Sequence, residues 1–282
     1  MSARRHFRIE SIASPRRAQG FTLTEAILVI VITGILASTV AIFIQRPVQA
    51  FFDSARRAAL VDAADTALRR FSRDLRDAVP NSVRISGTAV EFLHVRSAGR
   101  YRQELPYGGA SGDLLDFSAA DTSFDVLGPT VEVQSGDSIV VYNLGLPSIA
   151  TAYDDPTSVS STRRVAAAPF GAALAKVTMT STLAFPGSSP AKRFQVVDTP
   201  VSYFCAGTQL RRYSGYTITS TQVVPAVGSG DLIADKLATG GCAFTYAAGA
   251  SQREALVTIR LSLTDGVESV ALLYQVHVNN AP

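Results

Sequence analysis

The stretch Phe21-Thr-Leu-Thr-Glu25-Ala-Ile-Leu-Val-Ile-Val-Ile-Thr-Gly34-Ile-Leu-Ala-Ser-Thr-Val-Ala-Ile-Phe-Ile44 holds 24 residues and one charge, Glu25. As an α-helix it would extend about 36 Å, enough to cross a hydrocarbon layer of ~30 Å. Arg4, Arg5, Arg8, Arg16 and Arg17 precede it, and only Arg46 follows closely. That asymmetry predicts a cytoplasmic N-terminus with the rest of the chain outside. A cleavable secretory signal is the competing reading, but its apolar region runs only about 7–15 residues and ends in an Ala-x-Ala-like site. Thr39-Val40-Ala41 is a poor version of that site. The small residue that stands out is Gly20, between the arginines and the apolar run. A cut there would remove the basic tail and keep the hydrophobic helix.

Glu25 has two readings. Thr22-Leu23-Thr24-Glu25 fits a capping box, in which the carboxylate satisfies an orphan amide and faces the positive end of the helix dipole. A cut after Gly20 would also create an α-amine at Phe21, one helical turn away or supplied by a neighbouring molecule. Glu25 would then be half of an ion pair between subunits. Ionisable groups at bilayer depth are costly and usually functional, which favours the assembly role.

Arg16-Arg17-Ala18-Gln19-Gly20 followed by Phe21-Thr22-Leu23-Thr24-Glu25 and an apolar helix resembles the class III signal of type IV prepilins and pseudopilins. The resemblance implies cleavage after Gly20 by a prepilin peptidase, N-methylation of Phe21, and use of Glu25 to register a subunit in a filament. It also implies other minor and major pilins, an inner-membrane assembly platform and membrane lipid as partners. Gly34 falls where many pilin helices carry a flexible glycine. The mid-helix proline of major pilins is absent, with Ala41 and Ile42 in that region, and Pro47 moves any kink to the membrane exit.

Beyond the apolar run, Leu60, Ala64, Ala67, Phe71, Leu75 and Ala78 recur at steps of three and four, one face of a helix. Charged residues fill the other faces, with Asp65–Arg69 and Arg70–Asp74 placed for i,i+4 pairing. Pro80-Asn81 ends the helix. The pattern then changes to period two. Val83–Ile85 and Ala89–Val95 read as a hairpin about Ser86-Gly87. Asp137–Tyr142, Val177–Leu183, Phe194–Val197, Val201–Cys205 and Gln209–Tyr213 read as strands, the last two flanking a short turn at Ala206-Gly207. Leu256–Leu263 and Val267–Val278 flank the turn Asp265-Gly266. Ala98–Gly112, Pro147–Arg164 and Gly187–Pro190 read as loops. The division expected is a leader over 1–20, a transmembrane helix over 21–44, an amphipathic continuation over 45–79, and a β-rich periplasmic head over 80–282. The fold class is α+β and pilin-like, a long N-terminal helix packed on an antiparallel β-rich head.

The chain counts 26 Lys+Arg against 23 Asp+Glu, but beyond Gly20 acids and bases balance to within one charge. No nucleic-acid footprint survives removal of the tail. Cys205 and Cys242 are the two cysteines. Behind an export-type N-terminus they predict one disulfide, closing a loop of roughly forty residues and contributing ~3–4 kcal/mol in the chain-entropy model. The competing reading is a pair of separate buried thiols.

No catalytic, cofactor or metal constellation stands out, and the chain reads as a non-enzyme. His94 and His277 fall in strand-like segments, and His6 would leave with the leader. Asp113, Asp116, Asp121 and Asp125 form a loose acidic group whose spacing fits no EF-hand. Tyr101, Tyr107 and Tyr142 lie near glycine-rich loops and could face a sugar, although packing is the commoner role. The helix end Ala67–Val79 resembles large minor pilins and the J-type pseudopilins of type II secretion. Val95–Arg102, Asp113–Phe117, Asp121–Gly128 and Ser138–Gly145 resemble minor pilin-like proteins of the mannose-sensitive haemagglutinin (MSHA) pilus. The favoured expectation is a minor pilin at a pilus tip or initiation complex. A secretion pseudopilin is the runner-up, and a carbohydrate-binding tip adhesin is the alternative of another class.

Overall fold

The structure is a computed structural model, and it describes residues 20–105, 108, 111–224, 228–248 and 254–282. The chain divides into two compact units, Met1–Ser54 and Ala55–Pro282. One helix, α1 (Leu23–Arg76), runs through the boundary. In the first unit every described residue except the half-buried Asp53 is exposed.

In the second unit α1 buries Leu60, Ala64, Ala67, Phe71 and Leu75, the stripe read from spacing, and widens it with Leu68 and Ser72. The helix stops three residues before the expected Val79. Residues 77–79 give their backbone to a strand instead: Val95 N–H donates to Asp77 O at 2.8 Å and Val79 N–H to Leu93 O at 2.8 Å. Two ladder bonds replace the last helical turn, and Pro80 has no N–H with which to resume it. Of the two i,i+4 pairs expected on the helix, Arg69–Asp65 forms at 2.6 Å. Arg70–Asp74 does not. Arg70 turns to Asp231 at 3.4 Å, while Asp74 takes the Arg212 guanidinium at 2.5 Å and the Tyr203 hydroxyl at 2.9 Å. An acid that reads as solvated thus ties the helix to a sheet.

The strands in chain order are β1 (Arg84–Ser86), β2 (Ala89–Tyr101), β3 (Ser123–Leu127), β4 (Val131–Val133), β5 (Ser138–Val141), β6 (Arg163–Ala167) and β7 (Gly171–Leu174). They continue with β8 (Lys176–Thr180), β9 (Arg193–Ala206), β10 (Gln209–Ser214), β11 (Asp231–Ala234), β12 (Leu237–Ala248), β13 (Glu254–Asp265) and β14 (Glu268–Asn279). Every pairing between them is antiparallel. Nine form one sheet in the order β1-β2-β3-β8-β6-β5-β9-β10-β11. Because β2 also pairs with β9, the portion β2-β3-β8-β6-β5-β9 closes on itself. Its interior is a separate core around Tyr101, Phe124, Ile139, Met179 and Phe194. The other end of the same sheet and the three-stranded sheet β12-β13-β14 both pack on the helix stripe. The architecture is α+β, a long apolar N-terminal helix with an antiparallel β-rich head.

Two stretches that read as separate strands, Phe194–Val197 and Val201–Cys205, are one strand. Asp198 bulges out of β9 opposite His94–Val95, and Arg96 bulges out of β2, so Pro200 is carried beside the irregularity. The expected loop from Ala98 begins only after Tyr101. Gly99 looks like a breaker, but a Cβ there would lie 2.9 Å from Phe194 Cε1. The glycine makes room for a core ring rather than ending the strand. The expected hairpin turns fall one residue later, at Gly87-Thr88, Gly207-Thr208 and Gly266-Val267, because Ser86, Ala206 and Asp265 still pair across their ladders.

Cys205 on β9 and Cys242 on β12 are joined as a disulfide with Cα atoms 6.3 Å apart, linking the nine-stranded sheet to the three-stranded one. Alkylation of unreduced protein purified from the native membrane is expected to label neither thiol, and reduction to expose both. Labelling without reductant would show that the bridge does not form in the cell.

Candidate processing and assembly site

At the start of α1 the chain leaves Gly20 and Phe21 exposed and outside the helix. Thr22 supplies the cap. Its Oγ1 accepts the Glu25 N–H at 3.3 Å, and its carbonyl accepts the Ala26 N–H at 3.1 Å. This is half of the capping box. The reciprocal bond, from the Thr22 amide N–H to the Glu25 carboxylate, does not form. Among the described residues the Glu25 carboxylate has neither a hydrogen bond nor an ion pair. The helix start is therefore capped by Thr22, and Glu25 is left uncommitted among the described residues.

The apolar run handles its few polar groups internally. Thr33 Oγ1 donates to Val29 O at 2.6 Å, Ser38 Oγ to Ile35 O at 2.8 Å, and Thr39 Oγ1 to Leu36 O at 2.9 Å. Hydroxyls folded onto the helix carbonyls carry little cost in hydrocarbon, where unsatisfied polar groups cost several kcal/mol. Among the described residues, one helix, α1, is long and apolar enough to cross a membrane. It continues through Pro47, whose missing N–H removes one ladder bond. The arginines before Gly20 and His6 lie outside the described residues.

In the head, the sequence candidates disperse. His94 Nδ1 lies 2.8 Å from Asp198 Oδ1. The hydrogen bond to that carboxylate raises the imidazole above its usual range, against the effect of burial. Arg96 Nε donates to Asp137 at 2.9 Å, so the two bulges are clamped by their own charges. His277 stands apart on β14. Asp113 pairs with Lys176 at 2.7 Å and Asp125 with Arg102 at 3.1 Å, while Asp121 accepts the Asp116 amide at 2.8 Å. The acidic group is thus tied to cations and loop amides. Among the described residues no three His, Cys, Asp or Glu side chains gather as a metal site. Tyr101 is fully buried with its hydroxyl on Ser189 O at 3.2 Å, so it packs the core and faces no sugar. Tyr107 lies outside the described residues, and Tyr142 remains partly exposed.

Sequence reading misses Arg164. It is the second residue of β6, at the end of an expected loop, and its side chain is entirely buried. The guanidinium donates to the carbonyls of Ser161 at 2.9 Å, Arg163 at 2.7 Å and Ala184 at 2.6 Å, and lies 4.7 Å from the Phe185 ring centroid. Burial lowers its pKa from the ordinary arginine value. It replaces a carboxylate partner with backbone oxygens, and no local sequence signal marks that.

Residues 15–41 match the prokaryotic N-terminal methylation motif. The match spans the basic residues Arg16 and Arg17, the Gly20–Phe21 junction, Glu25 and most of the apolar run. It supports a type IV pilin-like or pseudopilin protein, and such a motif implies processing by a prepilin peptidase and pilin-type assembly partners. Proteins carrying this signal are structural rather than catalytic. No curated protein and no solved structure matches the chain.

Proposed function

We propose that the chain is a minor pilin of an MSHA-type pilus, most like MshO, and acts in a tip or initiation complex. The leader 1–20 is removed by prepilin peptidase, Phe21 is N-methylated, and residues 21–44 hold the protein in the inner membrane with the head in the periplasm. The observation that carries this reading is the methylation motif over 15–41 running into a helix capped by Thr22, with the Glu25 carboxylate unpaired among the described residues. The size of the head supports a terminal place, because a unit spanning Ala55–Pro282 repeats poorly along a tightly packed fibre. The MSHA assignment rests on the resemblance of Val95–Arg102, Asp113–Phe117, Asp121–Gly128 and Ser138–Gly145. The helix end resembles J-type pseudopilins as well, and the genes encoded beside this one separate the two systems.

Mass spectrometry of membrane-extracted protein tests the processing step. The expected mature chain begins at N-methyl-Phe21. A chain beginning at Met1, or near Ile42, would overturn the pilin reading.

A further inference from the structure

A cleft of about 900 Å³ lies within the head, where the end of β5, the turn before β9, the end of β12 and the last residues of the chain meet. Its size falls within the roughly 300–1,000 Å³ of small-molecule sites. Asn81, Tyr142, Pro190, Tyr246, Asn280 and Pro282 are among its lining, and among the described residues no lining side chain is charged.

The polar groups in the lining are held in place. Asn280 is buried, and its Oδ1 accepts the Asn81 amide at 3.1 Å while its Nδ2 donates to the Tyr246 hydroxyl at 2.7 Å. Asn81 Nδ2 returns to the carbonyls of Asn143 at 2.9 Å and Asn280 at 3.1 Å. Tyr246 Oη is thereby fixed as an acceptor, with its own proton left to donate. Tyr142 and Asn81 both sit at positive φ, 55° and 60°. For a tyrosine that conformation is strained, and strain of this kind gathers at binding sites. Gly187 lets the ring lie against its backbone, since a Cβ there would come 3.0 Å from Tyr142 Cδ1.

We propose that this cleft binds an uncharged saccharide. Two tyrosine rings offer apolar faces for sugar C–H groups, and phenol and backbone groups offer hydrogen bonds to hydroxyls. An anionic ligand would meet no counter-charge among the described lining side chains and would be desolvated at a loss. A purely apolar ligand would cover the Tyr246 hydroxyl without a partner. The site is independent of the processing and assembly roles of Gly20, Phe21 and Glu25.

The test uses the full chain in nanodiscs prepared without sugar-based detergent. Saturation-transfer NMR and titration are run with uncharged tetrasaccharides of glucose, mannose, galactose and N-acetylglucosamine, and with tetragalacturonate as the charged counterpart. At least one uncharged tetrasaccharide is expected to bind, with the charged one about 10-fold weaker or worse. Tyr246→Phe keeps the packing and is expected to weaken binding by about 3–10-fold through the lost hydroxyl. Tyr142→Gly removes the ring at a backbone angle that suits glycine; with the fold checked by circular dichroism, a loss of about 10-fold or more is expected. Binding of none of the uncharged sugars would overturn the proposal. So would binding unchanged in both variants, or binding of a proline-rich peptide in the sugars' place.

Discussion

Phe71→Ala is expected to lower the stability of the head by about 3–5 kcal/mol, the range for truncating a buried aromatic. The ring is fully buried. It meets Tyr203 of β9 edge-on at 5.1 Å and 88°, and Phe244 of β12 at 5.7 Å. One side chain of the helix therefore fills the space between both sheets. Removing it leaves a cavity that neither sheet can close without leaving the other, because the disulfide holds β9 and β12 together. Val61→Ala on the same helix is the control. Val61 is 40% exposed, and its truncation is expected to stay within about 0.5 kcal/mol. Denaturant midpoints followed by circular dichroism distinguish the two. Equal shifts for Phe71→Ala and Val61→Ala would mean that the helix does not pack on the head in this way.

Glu25→Ala is expected to leave membrane insertion, cleavage after Gly20 and the linked head intact while disrupting association with neighbouring subunits. The helix loses little, because Thr22 Oγ1 and not Glu25 makes the observed cap. Loss of such a cap costs ~1 kcal/mol. A Phe21 amine buried among apolar helices without its counter-charge would cost several kcal/mol. Glu25→Gln keeps a hydrogen-bonding group and removes the charge, so it should behave like Ala if charge is what matters. Thr22→Ala is the converse variant. It removes the cap and is expected to weaken the helix start while association survives. Crosslinking to the other minor pilins at equal membrane levels gives the readout. Association of both Glu25 variants at the wild-type level would sink the assembly argument.

Much of this fold is legible where side chains obey a period. The stripe from Leu60 to Ala78 shows because every member faces one core. The β13–β14 hairpin shows because Val257, Ile259, Leu261 and Leu263 alternate with polar residues around a Gly266 turn. The rest hides behind residues whose local meaning is reversed by packing. Gly99 reads as a break but clears Phe194, and Arg164 reads as the end of a loop but is buried among carbonyls. β12 hides in Ala238-Thr-Gly-Gly-Cys-Ala243, where four residues bulge between the pairs Leu237–Leu263 and Cys242–Leu261. A Cβ on Gly241 would lie 2.6 Å from Ser262 O, so glycine is required there by a neighbour far along the chain. The processing motif is legible for the opposite reason. It is local, and its described residues, from Gly20 on, are exposed in the single chain. The cleft is not legible, since Asn81, Tyr142, Tyr246 and Asn280 come together only through the meeting of two sheets and the chain end.

The bridge between Cys205 and Cys242 makes the stretch between them a closed covalent circuit that includes β10 and β11. Thr217, Thr219 and Ser220 lie exposed within it. A protease that cuts there opens the circuit without separating the chain. Both fragments stay tied to the same body, and the helix keeps its covering on both sides. Damage at this place would be silent on a gel run without reductant and would appear as two bands once the sulfurs are parted. That arrangement converts a break in the backbone from a loss into a scar.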